Sequence, residues 1–316
     1  MDADQPEIWV LGNLTIDDVV GSDGTVSIGR CGGNAIYAAV GARVWSDRVG
    51  LCARVGPDYP KQHLETLRRE GIRLELAEVA TPSIRNWALY EGADTRRFIP
   101  WISSGTHLEQ SPLPGELPPR ACCARICHIA PMPLSVQQQL VHHLSCGNCV
   151  ISLDPHDEYL AGQERAFLEL LSLVTVFLPS RQEARLLFGR DAPEDAARAF
   201  VAAGARVAVV KLGAEGSLVC ETSRSVVHHV PSVPAAVVDP TGAGDAYCGA
   251  FGVIYARSSD VLQAALHASV AASFVVERLG ATSALPPDRL EAEHRLRLLT
   301  SELEGVTRAC AWTSES

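Results

Sequence analysis

Lysine is nearly missing from this 316-residue chain: Lys61 and Lys211 are the only two, and the rest of its 27 basic side chains are arginines. Schiff-base chemistry needs a lysine amine and has two candidates at most. No run reaches the roughly 18 uninterrupted apolar residues of a membrane helix. The start, Met1-Asp2-Ala3-Asp4, lacks the basic-then-apolar order of a signal peptide. Both point to a soluble, cytoplasmic protein with no membrane partner. A basic stripe is missing too. With 37 acidic residues the formal charge is −10, which argues against a nucleic-acid partner. No Gly-x4-Gly-Lys-[Ser/Thr] segment occurs, so this is not a P-loop protein, and Gly12 does not open a dinucleotide-binding Gly-x-Gly-x-x-Gly turn. Repeats, low-complexity tracts and interdomain linkers are lacking as well, so one domain is expected over 1–316.

What is present describes a globular chain, 47% apolar and 20% charged. Ten cysteines in a chain of this length do not form a compact disulfide framework and read as free thiols. Cys146-Gly-Asn-Cys149 has zinc-like or redox spacing; the same four residues also read as a Gly-Asn turn flanked by small side chains.

Short β-branched apolar runs recur at 8–12, 49–55, 125–130, 149–154, 175–178 and 206–212. Helical patterns lie between several of them. One covers 61–70, with Leu64 and Leu67 one turn apart and Gly71 as its stop. Strands alternating with helices predict an α/β three-layer sandwich around a mostly parallel sheet. Two stretches break the pattern, 17–31 with a Ser-Asp-Gly turn and 86–101 with Glu-Gly-Ala-Asp. They predict β-hairpins that form a small lid from segments near 15–31 and 85–102. The four-proline stretch 111–119 reads as a surface loop.

The sharpest segment is Asp239-Pro-Thr-Gly-Ala-Gly-Asp245, followed by the apolar, small-residue helix pattern of 246–255. A glycine turn at a helix N-terminus presents unpaired N–H groups and the positive end of the helix dipole to an anion. An aspartate directly after it would repel a bound phosphate unless it has a task. Accepting a proton from a hydroxyl that attacks that phosphate is one. The competing reading is an ordinary glycine turn with Asp245 as a first-turn carboxylate.

The heptapeptide resembles the C-terminal signature of the ribokinase-like (PfkB) carbohydrate kinases, and further pieces follow in family order along nearly the whole chain. Leu11-Gly-Asn-Leu-Thr-Ile-Asp17 resembles the end of the family's first strand, and Cys31-Gly-Gly-Asn-Ala-Ile-Tyr37 its N-terminal Gly-Gly signature. Val55-Gly-Pro-Asp58 through Gly71-Ile72 resembles its next segment. Ser180-Arg-Gln-Glu183 stands at its Asn-x-x-Glu motif, and Val210-Lys211-Leu-Gly213-Ala-Glu-Gly216 resembles the strand and loop beside ATP. Four positions depart from the family pattern: Thr15 and Tyr37 stand where asparagine is frequent, Ser180 replaces the asparagine of Asn-x-x-Glu, and Pro60-Lys61 fills a spot usually held by glycine.

The resemblance implies an ATP-dependent kinase that phosphorylates a hydroxyl of a small sugar or sugar-like acceptor. A nucleoside kinase and a non-catalytic ligand-binding homologue are the alternatives. It implies Asp245 as the base and the amides of Gly242, Ala243 and Gly244 as the anion hole. Lys211, Gly213, Gly216 and Thr241 would meet ATP, and Asp17, Gly33, Asn34 and Tyr37 the acceptor, with Asp18 the neighbouring candidate for the Asp17 role. Magnesium would be organised by Glu183 through water, and Asp239 would serve a monovalent cation such as K+, or equally an Asx-type turn before Pro240. Arg96 and Arg97 on the second hairpin invite a phosphate-binding reading, but one of two successive strand residues faces solvent, and a solvated edge is expected. Trp87, Phe98 and Trp101 would stack on a ligand or on one another. A lid of this kind could also pair two copies into a homodimer.

Overall fold

Each apolar run read from the sequence becomes a strand, because its β-branched side chains fit a pleated surface buried on both faces. The structure, a computed structural model, describes residues 5–90, 96–189, 191–222 and 224–313, without the side chains of 96, 224–225 and 304–313. The acidic start at 1–4, the turn at 91–94 and the side chains of Arg96 and Cys310 therefore lie outside the described residues.

Thirteen strands occur among the described residues: β1 Ile8–Leu11, β2 Thr15–Val20, β3 Val26–Gly32, β4 Val49–Val55, β5 Ile72–Glu78, β6 Ile84–Tyr90, β7 Arg96–Pro100, β8 Ile126–Ile129, β9 Val150–Leu153, β10 Val176–Phe177, β11 Val207–Lys211, β12 Ser217–Glu221 and β13 Arg224–Val230. Nine form one sheet in the order β13-β12-β11-β10-β9-β8-β1-β4-β5. From β11 to β5 every pairing is parallel, while β12 and β13 add antiparallel at one edge.

Side chains alternate across these strands and sort into two cores. Trp9, Leu11, Cys127, Ile129, Phe177 and Val210 pack against the helices Leu134–Leu144, Glu164–Leu170, Arg181–Phe188 and Pro193–Ala202. Ile8, Val10, Ile126, Val176 and Val209 face the helices Asn34–Trp45, Ala243–Ser258 and Val261–Val276. This is the expected three-layer arrangement. Two helices of the second layer touch backbone to backbone: a Cβ at Gly41 would run into Ala246, and one at Gly249 into Ala38. That contact sets the start of Asn34–Trp45 beside the start of Ala243–Ser258.

The two expected hairpins are β2–β3 and β6–β7. They join through parallel pairing of β2 with β6 into a separate four-stranded sheet, β3-β2-β6-β7. The helix expected at 61–70 is Lys61–Arg69, closed by Gly71 at a φ of 82°. β5 and the β12–β13 edge are additions to the runs read from the sequence. The 111–119 stretch differs from expectation: Ser111 is wholly buried, its hydroxyl donating to the His107 carbonyl at 2.6 Å. No helix among the described residues is long and apolar enough to cross a membrane.

Candidate active site

The 239–245 turn lies where the four-stranded sheet, the carboxyl ends of the main strands and the second helical layer meet. Gly242 caps the helix Ala243–Ser258 in the left-handed region, φ 76°, and no side chain caps this end. A Cβ at Gly242 would collide with the Tyr37 ring, so glycine here both makes the turn and admits that ring. Of the amides at the start of this 16-residue helix, Ala243 N–H closes on the Pro240 carbonyl at 3.3 Å, while those of Gly242 and Gly244 are left for an anion. Asp245 sits half-buried in that first turn, and its charge reaches both Tyr37 and Cys248.

On one side of the turn is a cleft lined by Asp17, Tyr37, Tyr90, Phe98, Asp239 and Thr241, among others. Asp17 is 8% exposed and accepts from Thr15 Oγ1 at 2.9 Å, so one family departure, Thr15, holds this carboxylate. Burial, reinforced by the charges of Asp18 and Asp239, pushes the Asp17 carboxyl up to about 6. Gly32 leaves it room, since a Cβ there would overlap Asp17 Oδ2. Asp18 points to the opposite face, as strand alternation requires. It is fully buried in a two-pronged bond with Arg85, at 2.8 and 3.0 Å, which holds its carboxyl below the usual range against the pull of burial. Asp17 is therefore the cleft residue and Asp18 the structural one.

Tyr90 reaches from β6 into the same cleft. Its hydroxyl donates to Asp239 Oδ1 at 2.6 Å and lies 2.7 Å from Thr241 Oγ1, while Thr241 N–H donates to the same Asp239 oxygen at 2.8 Å. The four-stranded sheet is thereby latched to the turn. Burial, with Asp239 and Asp17 nearby, pushes the Tyr37 phenol well above its ordinary value, so it stays a neutral hydroxyl.

On the other side of the turn stands Lys211, the last residue of β11. Its Nζ donates to Asp154 Oδ2 at 2.6 Å, and a methyl group at Gly244 would sit 3.6 Å from it. The loop after it, with Gly213 and Gly216 at φ 63° and 91°, is tied to the helix Arg181–Phe188 by the Arg181–Glu215 ion pair at 2.8 Å. Ser180 starts that helix with a capping box: Ser180 N–H donates to Glu183 Oε2 at 2.6 Å and Glu183 N–H to Ser180 Oγ at 3.2 Å. Burial, with Asp154 adding, pushes the Glu183 carboxyl up to about 7.

The sequence-derived residues thus divide into two groups about one turn. Asp17, Tyr37, Asp239 and Thr241 line the cleft; Lys211, Gly213, Gly216 and Glu183 gather at the Gly244 side. Thr241, expected beside ATP, is bonded to Tyr90 and Asp239 on the cleft side of the turn. Gly33 is in place at the start of Asn34–Trp45, whereas the Asn34 side chain ties loops together, accepting from Asn13 N–H at 3.0 Å and donating to the Pro131 carbonyl at 2.6 Å. Trp87 stacks on Trp101, 5.6 Å between centroids, while Phe98 faces the cleft. Cys146–Cys149 falls in the turn between Leu134–Leu144 and β9, and its cysteines are free thiols. Two residues went unread. Tyr90 alternates onto the cleft face of its strand, and Asp154 follows β9 at the carboxyl edge where open sheets collect ligands.

Among the described residues no group of three or more His, Cys, Asp or Glu is placed to hold a metal. Magnesium delivered on nucleotide phosphates needs only one or two carboxylates, and Glu183, one oxygen of which is held by its own cap, fits that demand with the other.

Residues 24–288 match the model of the pfkB family carbohydrate kinases. The cytidine kinase of Thermococcus kodakarensis is 28% identical over 257 residues, covering 79% of this chain and 89% of that one. A deoxyribokinase of Salmonella typhi is 28% identical over 269 residues, covering 81% and 84%. Among solved structures, an E. coli chain described as a ribokinase II, in complex with ATP and Mg2+, superposes with a TM-score of 0.76 at 21% identity, over 92% of this chain and 99% of that chain. The Methanocaldococcus jannaschii nucleoside kinase gives 0.71 at 21% identity, over 93% and 99%. The two structures carry the likeness of fold; the family match spans most of the chain and includes both the Gly33 and the Gly242 turns. The chain belongs to the pfkB family of carbohydrate kinases.

Proposed function

We propose that this kinase transfers the γ-phosphoryl group of ATP to a hydroxyl of a small, uncharged sugar or nucleoside bound in the Asp17 cleft. The observation that carries the reading is the shared turn: a buried carboxylate fit for hydroxyls lies on one side, a lysine on the other, and Asp245 between them. Asp17 accepts hydroxyl hydrogen bonds from the acceptor, and the Tyr37, Tyr90 and Phe98 rings supply flat walls for a furanose or a base. Two carboxylates in one cleft, Asp17 and Asp239, disfavour an acceptor that already carries a phosphate. Arg97 is exposed on β7, in keeping with the expected solvated edge.

Asp245 draws the proton from the acceptor hydroxyl as it attacks in line. The amides of Gly242 and Gly244 meet charge developing on the transferring group, whereas Ala243 N–H is turned to the Pro240 carbonyl. Lys211 and the Gly213–Gly216 loop border the nucleotide. Magnesium, when bound with ATP, neutralises phosphate charge; Glu183 meets its hydration shell rather than the ion. Asp239 Oδ1 is committed to Tyr90 and Thr241, so a monovalent cation such as K+ would share that carboxylate with them. Nine free thiols among the described residues suit a reducing, ATP-rich compartment, the cytoplasm. Val26 and Ile28, 59% and 57% exposed on β3, support pairing of two copies through the four-stranded sheet.

The test is ADP release with Mg–ATP over a panel of neutral pentoses, hexoses and nucleosides beside their phosphate esters, with and without K+. Acceptor-dependent turnover on a neutral compound is expected. Turnover confined to phosphorylated acceptors would refute the neutral-acceptor reading, and nucleotide binding with no turnover would favour a non-catalytic homologue.

A further inference from the structure

Lys211 is an unusual place for a charge. Its side chain is 13% exposed, at the end of a central strand, while the chain's other lysine, Lys61, is exposed at the start of its helix. Burial alone would drive such an amine toward its neutral form. Opposite it stands Asp154, 2% exposed, whose Oδ2 takes one ammonium proton at 2.6 Å. Cys248 Sγ lies 3.4 Å from the same ammonium and 3.3 Å from the same carboxylate oxygen. Gly244 and Cys248 are one helical turn apart, so both face Lys211. The ammonium is pinned between a strand end and the anion turn, with a third N–H left for an anion arriving there.

We propose that Asp154 is a positioning residue for phosphoryl transfer: it holds the Lys211 ammonium against the 242–245 turn, where the cation meets the charge of the transferring phosphoryl group. This rests on the kinase reading above and deepens it.

Other groups that face Lys211 do not replace Asp154. Glu183, from the helix Arg181–Phe188, turns one oxygen to its own cap. His128, at the end of β8, is held neutral, pushed down to about 3 by burial and by Lys211 itself. Tyr247 is bonded to Ser217 at 2.9 Å. The pair is also poorly built as a purely structural bridge. Asp154 Oδ1 is buried without a partner, and a buried ion pair with an unsatisfied oxygen is a weak source of stability. An arrangement that costs stability at the edge of a phosphate-binding turn is the mark of a functional site.

Two lysines make the test direct, because a chain labelled with 13Cε-lysine shows two lysine signals, and Lys211→Arg identifies one of them by its loss. Mg–AMP-PNP should shift the Lys211 signal and leave that of Lys61 in place. In Asp154→Asn the Lys211 signal should change position, and its response to Mg–AMP-PNP should weaken. Turnover should fall about 10–100-fold, the usual cost of a lost supporting partner, with both KM values within about threefold of wild type. Lys211→Met should cost about 10²–10³-fold, as for a lost transition-state contact, and Lys211→Arg clearly less. Should Asp154→Asn fail to fold, Asp154→Asn/Lys211→Met replaces the pair by neutral side chains, and it should be no slower than Lys211→Met alone. Equal losses for Lys211→Arg and Lys211→Met, or a double variant slowed by the product of the single losses, would overturn the proposal. A wild-type protein that phosphorylates nothing would sink the kinase reading instead. In that case a Lys211 signal unaltered by Asp154→Asn would still overturn the pairing.

Discussion

The Asp17 carboxyl is set against the stability of its own fold. Its value rises from 3.8 to about 6 because the site buries it and places Asp18 and Asp239 near. A carboxyl whose folded value lies above the unfolded one binds more protons when folded, so its ionisation opposes folding. That cost is absent below about pH 4, grows between about 4 and 6, and is complete above, where it amounts to as much as about 3 kcal/mol. Asp17→Asn should therefore unfold at higher urea concentration than wild type at pH 8, with the difference vanishing near pH 4. The same substitution should raise the acceptor KM by about one to two orders of magnitude, through the loss of charge-assisted hydroxyl bonds. A mutant no more stable than wild type at pH 8 would show that Asp17 is not ionised against the fold. Among single residues, Asp17 and Asp245 could be read in the sequence from their motifs. Asp154 could not, since its partner Lys211 is 57 residues away and the pairing exists only once β9 and β11 lie one strand apart.

The elements were legible wherever a period was clear. Six apolar runs became central strands because burial on both faces leaves no polar alternation to blur them. β5 escaped notice because charged residues interrupt it, Arg73 and Glu78 at exposed positions and Glu75 at a half-buried one of an edge strand. The β12–β13 hairpin carries its signals in ordinary Ser, Glu and His residues. The two hairpins were legible from their turn residues, but their union was not: the parallel β2–β6 pairing joins segments 69 residues apart, Thr15 to Ile84. Nor does any local pattern announce that Tyr90 latches this sheet to Asp239 and Thr241. Removing that hydroxyl leaves the ring and its packing. Tyr90→Phe should raise the acceptor KM about tenfold, as one charge-assisted bond implies, and should increase ATP hydrolysis in the absence of acceptor, because a loosened lid admits water. Unchanged values for both would reduce the contact to a structural hydrogen bond.

At the scale of the molecule, the open parallel sheet decides where chemistry can occur. Asp154 follows β9 and Lys211 ends β11 at the carboxyl edge of the main sheet, while Asp17 on β2 and Gly33 after β3 come to it from the four-stranded sheet. The close contact of Gly41 and Gly249 with the facing helix then brings the 242–245 turn to that edge. Family membership explains why the turn was readable in advance. The acceptor was not, because the residues of the Asp17 cleft, Tyr37 and Tyr90, and Thr15 that holds its carboxylate, come from departures and from tertiary pairing. The claim that joins these parts is that Asp245 takes the proton of the attacking hydroxyl. Its most direct test is the turnover of Asp245→Asn with saturating Mg–ATP and the best acceptor from the panel, beside calorimetric binding of AMP-PNP. We expect turnover to fall about 10²–10⁴-fold, the usual cost of a lost general base, with nucleotide affinity and fold unchanged; turnover within a few-fold of wild type would contradict it.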